Sequence, residues 1–174
     1  MKNYGMLQVY TGTGKGKTTA ALGVAFRAVA KGARVKMFSF MKGDPTYGEA
    51  IGAALLPGFE LEQVGRDEFV NFVDPEQIDI DMAQAGWEKA KQAILSGTVD
   101  IVILDEINLL LHVKLLDTAS VVSFLKQSRG NVEVICTGRC APPELCEAAD
   151  LITDMREIKH YYQKDVTSRE GIDH

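Results

Sequence analysis

Apolar positions along the chain fall into short strand-like runs separated by stretches with helical spacing, and the two alternate from one end to the other. MLQVYT (6–11) is a β-rich run, followed by a glycine loop and then by TTAALGVAFRAVAKG (18–32), an alanine-rich stretch. It predicts a helix that begins near Lys17 and is stopped by Gly32. ARVKMFSF (33–40) reads as a strand, a Gly/Pro-broken stretch follows, and FELEQV (59–64) alternates as a strand does. A longer connection with two phenylalanines leads into a helix from about Asp74 to Leu95. VDIVILDE (99–106) is a continuous apolar run ending in two acids, the pattern of a strand buried on both faces. A helix near 117–128, the strand NVEVICTG (131–138), a short helix after Pro142 and Pro143, and the strand DLITDM complete the body. Repeated β-α order predicts a single α/β domain over residues 1–157, with a mostly parallel central sheet and helices on both faces. Residues 158–174 are too hydrophilic for a core and are expected to form a polar tail or lid of the same domain.

The loop between the first strand and the first helix carries the chemistry. TGTGKGKTT (11–19) approaches the phosphate-binding pattern G-x-x-x-x-G-K-[ST], but Thr11 stands where the first glycine belongs, and Gly12 comes one residue late. The context is nonetheless the required one, a strand ending at Thr11 and a helix beginning near Lys17. Gly12, Gly14 and Gly16, with Thr13 and Lys15 between them, allow backbone N–H groups to converge on phosphate oxygens, and the helix N-terminus adds its dipole. Lys17 supplies positive charge, Thr18 a hydroxyl for Mg²⁺, and Thr19 a further hydrogen bond. After the buried run VDIVIL, Asp105 and Glu106 are expected at the carboxyl edge of the sheet, where ligands of open α/β sheets bind. With Thr18 they form an oxygen donor set suited to Mg²⁺. The fold expected is the P-loop, RecA-like nucleoside triphosphate-binding fold, with Lys17, Thr18 and Glu106 as the catalytic candidates.

Composition narrows the partners. The 174 residues are 46% hydrophobic and 25% charged with a net charge of -5, so the electrostatic footprint of a nucleic-acid or membrane-surface binder is missing and small soluble ligands are favoured. No run is long enough to span a membrane and MKNYGMLQVY does not read as a secretion signal, so a cytoplasmic location is expected. Cys136, Cys140 and Cys146 show no C-x-x-C pair and read as buried or incidental thiols.

Taken in order, TGTGKGKTTAALG with Arg27, FMKG (40–43), YGE (47–49), ILDEIN (103–108), TGRCAPPEL (137–145), ADLITDM (149–155), IKH (158–160) and GID (171–173) resemble the P-loop corrinoid adenosyltransferases over nearly the whole chain. The resemblance implies transfer of the 5′-deoxyadenosyl group of ATP to the cobalt(I) of cobalamin or cobyrinic acid a,c-diamide, with release of triphosphate. It implies ATP as co-substrate, Mg²⁺, a homodimer, and an outside electron donor such as a flavoprotein. It also implies a reason for the shortened loop. Members of the family hold ATP in reverse along it, so the loop grips a leaving triphosphate and the 5′ carbon is exposed to attack. Arg27, one helical face on, joins Gly12 to Thr19 as an ATP residue under this reading, and Phe69 and Phe72 are the candidates to close the lower face of the corrinoid.

Departures from the family pattern are specific. Relatives often have Phe-x-Trp where this chain spaces Phe69 and Phe72 three apart, and Trp87 lies in a helical pattern as a packing residue. Asp165 stands where relatives commonly have glycine. Some members cover the corrinoid with a basic N-terminal extension, whereas here the first strand starts within about six residues and that cover is expected to be absent or supplied otherwise. His160 is expected to hydrogen-bond phosphate or backbone rather than cobalt. The rival readings are a small-molecule kinase or RecA-like ATPase, which would release ADP, and a non-catalytic corrinoid carrier.

Overall fold

The computed structural model describes residues 5–66, 70–72, 74–130 and 132–173. Phe69, one of the two corrinoid candidates, lies outside the described residues. Six strands, β1 (Leu7–Thr11), β2 (Val35–Phe40), β3 (Phe59–Val64), β4 (Ile101–Asp105), β5 (Glu133–Thr137) and β6 (Leu151–Asp154), form one sheet in the order β3-β2-β4-β5-β1-β6. Every neighbouring pair is parallel, with Met37 opposite Ile103 and Val9 opposite Cys136. All six carboxyl ends therefore lie along one edge, and the loops that leave them meet there. The helices are α1 (Lys17–Val29), α2 (Gly48–Leu55), α3 (Gln77–Leu95), α4 (Ile107–His112), α5 (Thr118–Gln127) and α6 (Pro143–Ala148), followed by a 3₁₀ turn at Tyr161–Lys164. Among the described residues no helix is long and apolar enough to cross a membrane.

The period of two along each strand divides the interior into two cores. Val35, Met37, Ile101, Ile103 and Ile135 face α1 and α2, where Ala21, Ala25 and Ala53 bring the helix backbones close to the sheet. Phe38, Phe40, Val102, Leu104 and Cys136 face the other way, against residues of α3 to α6 that include Trp87, Ile94, Leu110, Leu125 and Leu145. Trp87 packs edge-on against Phe124 with ring centroids 5.4 Å apart, as a core residue does. Gly86 is required by packing, since a Cβ there would stand 2.3 Å from Val64 Cγ1.

Two elements depart from the sequence reading. The Gly/Pro-broken stretch contains α2, and directly after β4 the chain forms α4, a helix the sequence reading did not include. The helix expected from Asp74 begins at Gln77, and α5 starts on an Asp117 cap whose carboxylate accepts from the Ser120 N–H at 2.7 Å. The parallel sheet with helices on both faces is as expected, and every described strand pair is parallel.

Candidate functional site

Thr11 closes β1, and the chain leaves it through Gly12 at φ +102°. Only glycine suits this position, because a Cβ would also fall 2.2 Å from Asp154 Oδ1 and 2.6 Å from the Met155 carbonyl. The shortened loop is thus fitted against the end of β6, and the Gly14 N–H donates to the Met155 carbonyl at 2.6 Å. Gly16, at φ +120°, precedes α1, so the free N–H groups of the first turn of α1 face the cleft. Lys17 is buried beneath the loop, its Nζ donating to the carbonyls of Gly12 at 3.0 Å and Gly14 at 2.7 Å. Burial lowers its pKa, and the nearby carboxylates, Glu106 foremost, oppose that shift.

Asp105, at the end of β4, is fully buried, and four donors surround it. Oδ1 accepts from Thr18 at 2.8 Å and Thr137 at 2.6 Å, and Oδ2 from Ser39 at 3.2 Å and Lys42 at 2.9 Å. Strand ends β2, β4 and β5 and the start of α1 are thereby tied to one carboxylate. Lys42 also reaches Glu49 at 3.4 Å. Burial alone would lower the lysine's pKa, but Asp105 and Glu49 outweigh it and hold the ammonium above the usual lysine range. Glu106 follows in the left-handed region at φ 63°, with its N–H on Thr137 Oγ1 at 3.1 Å. Burial and then the charge of Asp105 raise its pKa, against the pull of Lys42, Lys17 and Arg139.

These groups open into a cleft of about 900 Å³ lined by the loop, Lys42, Tyr47, Glu49, Glu106 and Arg139, and on another side by the tail. Asn108 spans the site from below, donating to the carbonyls of Tyr10 at 3.1 Å and Gly138 at 3.0 Å. His160 uses Nδ1 to accept the Tyr162 N–H at 3.1 Å, a backbone bond that fixes the start of the 3₁₀ turn.

The structure gathers Gly14, Lys15, Gly16, Lys17, Thr18, Thr19 and Glu106 around this cleft, with Asp105 just beneath. It does not bring in Arg27, which sits exposed on the last turn of α1, or Phe72, which is partly buried against the core on the α3 side. Sequence reasoning assigned no role to Ser39, Lys42, Thr137, Asn108 or the tail carboxylate Asp173. For Lys42 a signal was present, a cation directly beyond a buried strand in FMKG; the others are contacts between distant segments and leave no local pattern.

A glycine loop between strand and helix, with a buried aspartate on a parallel strand bonded to the loop threonine, defines a P-loop nucleoside triphosphate-binding protein. The fold is similar to that of the flagellar accessory protein FlaH from Methanocaldococcus jannaschii, with a TM-score of 0.58 and 15% identity over 87% of this chain and 71% of that one. Residues 3–174 match the family described as ATP:corrinoid adenosyltransferase BtuR/CobO/CobP, and the chain belongs to that family. It is 36% identical to a corrinoid adenosyltransferase of Sinorhizobium sp, over 97% of this chain and 80% of that one. To the corrinoid adenosyltransferase CobA of Salmonella typhimurium it is 34% identical, over 98% and 86% of the two chains. An uncharacterized protein of Nostoc sp., all2391, is 40% identical over 90% of this chain, which spans 45% of that protein.

Proposed function

We infer that this chain transfers the 5′-deoxyadenosyl group of ATP to the cobalt(I) of a corrinoid. The cobalt supplies an electron pair to the 5′ carbon, the bond from that carbon to the triphosphate oxygen breaks, and the triphosphate leaves with the bonding pair. The observation that carries this reading is the family match across residues 3–174. The cleft supports it, because its fixed groups suit a leaving polyanion. Lys17, the N–H groups at the start of α1, and Arg139 supply positive charge where negative charge collects as the bond breaks.

Mg²⁺ fits the donors present. Among the described residues no group of three or more His, Cys, Asp or Glu side chains forms a metal cage. An ion that keeps several waters and takes one or two carboxylates plus phosphates needs none. Thr18, Asp105 and Glu106 would hold it, and it would supply charge neutralisation on the triphosphate. The same reading takes Phe72 as an aromatic face for the corrinoid, and includes a homodimer, a flavoprotein-type electron donor and a cytoplasmic location.

The test is direct. Protein, MgATP and chemically reduced corrinoid should yield a light-sensitive product and one equivalent of triphosphate, with no ADP. Lys17→Ala should lower turnover by at least about 10²-fold while the protein stays folded. Release of ADP would favour the kinase or ATPase reading, and binding without a cobalt–carbon bond would favour a carrier.

A further inference from the structure

Beyond the phosphate loop, one wall of the cleft is built by the tail, through His160, Tyr161, Tyr162, Ile172 and Asp173. This segment has little apolar surface to hold it down, and the Asp173 carboxylate gathers several of its contacts, while Gln163 Nε2 donates separately to Glu157 Oε1 at 2.6 Å. Asp173, whose side chain is 11% exposed, pairs with Lys15 Nζ at 2.9 Å. It also accepts the Tyr161 hydroxyl and, at 3.1 Å each, the Arg169 main-chain N–H and Nε. Lys15 adds a second bond to the same stretch, to the Ile172 carbonyl at 2.9 Å. Arg169 in turn lies 4.5 Å from the centre of the Tyr161 ring, and the His160 ring sits tilted against the same tyrosine with centroids 4.7 Å apart. The tail therefore forms a ring of contacts that Lys15 ties to the phosphate loop, with the Glu157 N–H on Thr13 Oγ1 at 3.4 Å just ahead of it.

We propose that Asp173 is a positioning residue for ATP. By holding Lys15 and Tyr161 together it fixes the tail as the wall that completes the nucleotide cleft. The proposal rests on the reading of the cleft as an ATP site. A carboxylate beside a polyphosphate site is unfavourable by charge alone. Lys15 and Arg169 already offset that charge, and the carboxylate's remaining work is mechanical, since charge-assisted hydrogen bonds fix geometry better than neutral ones. Two readings of Asp173 thus differ in sign. If it acts only through its charge, removing it strengthens ATP binding; if it positions the tail, removing it weakens ATP binding.

The experiment compares full-length wild type with Asp173→Asn, Tyr161→Phe and Lys17→Ala. It measures KM and kcat for ATP with pre-reduced corrinoid, ATP binding at equilibrium, and the rate of trypsin cleavage in the tail after Arg169. Asp173→Asn should raise KM by about tenfold, the scale of one lost charge-assisted hydrogen bond, and lower kcat by less than about threefold. Its tail should be cleaved faster than that of wild type, and ATP should protect the wild-type tail but not the variant's. Tyr161→Phe, which keeps the ring and loses one donor, should fall between, and the melting temperature of the domain should not move. A KM that is unchanged or lowered in Asp173→Asn overturns the proposal, whatever the cleavage pattern. If Lys17→Ala also binds ATP normally, the reading of the cleft fails. If Lys17→Ala loses ATP while Asp173→Asn does not, only the role of Asp173 fails.

Discussion

Asp105 accepts hydrogen bonds from Thr18, Thr137, Ser39 and Lys42, whereas Glu106, the next residue, lines the cleft in a left-handed backbone conformation with its carboxyl beside Gly138. The two carboxylates therefore do different work. Asp105 ties the strand ends together in addition to its proposed place in the Mg²⁺ donor set, while Glu106 carries charge that burial and Asp105 both disfavour. The sign of the pH effect follows from that raised pKa. The folded state holds the Glu106 proton more tightly than the unfolded chain does, so a stabilising contribution is fully present below the ordinary glutamate value of about 4.3. It is lost as pH rises through the raised folded value. Glu106→Gln should consequently melt higher than wild type near pH 7 without nucleotide or metal, with the difference shrinking toward zero in acid. Thermal denaturation between pH 4 and 8, on the order of a degree's precision, checks this. The same variant should turn over at least about tenfold more slowly, since it removes an oxygen donor and a charge from the site. Cys136, by contrast, is a spectator: complete burial pushes its thiol up to about 12, out of reach of redox chemistry at neutral pH.

At the scale of elements, the tail turn shows what a sequence departure means physically. The family resemblance leads one to expect glycine at position 165, and the φ of 58° taken by Asp165 is one that glycine adopts without strain. Aspartate is among the few other residues that visit this region readily. Asp165→Gly should leave amide exchange across 160–173 as slow as in wild type or slower. Asp165→Ala, which keeps the Cβ and loses the polar side chain, should speed it by several-fold, about 1 kcal/mol of local stability. The strands, α1 and α5 were legible because each combines a clear period with a stop or cap signal, such as Gly32 after α1. α2 was not, because GEAIGAAL has two glycines in eight residues, poor helix formers, and leaves Leu55 exposed at 75%. α4 was hidden for a different reason. INLLLH continues the apolar run of β4, and a short buried segment has no period to separate helix from strand. The loop lysine, its threonine and the two acids were readable, each being a known residue type at a strand or helix end. Ser39, Thr137 and Asn108 were not, because they matter only where three strand ends meet.

At the scale of the molecule, the sheet separates two tasks. The cleft lies at the carboxyl edge beside the start of α1, while Val70 and Phe72, between β3 and α3, pack on the opposite face. Arg66 is bonded to Asp79 on α3 at 3.0 and 2.9 Å, and Phe72 packs partly buried against the core cluster of that face. If the rest of its ring closes the lower face of a corrinoid, its value lies in keeping an axial ligand off cobalt(II), which eases reduction without touching the transfer step. Phe72→Leu separates this from packing, because leucine keeps most of the apolar contact and loses the flat face. With a weak physiological-type reductant its turnover should fall by at least about tenfold, a barrier change of about 1.4 kcal/mol. With cobalt(I) formed chemically beforehand the loss should be under about twofold, and ATP binding and melting temperature should match wild type. A packing role predicts instead that Phe72→Ala, which empties the site at a cost of about 3 kcal/mol or more if the ring is mainly core, lowers activity equally with both reductants. Equal losses in Phe72→Leu as well, tracking the amount of folded protein, would remove Phe72 from the corrinoid face and leave it as part of the core.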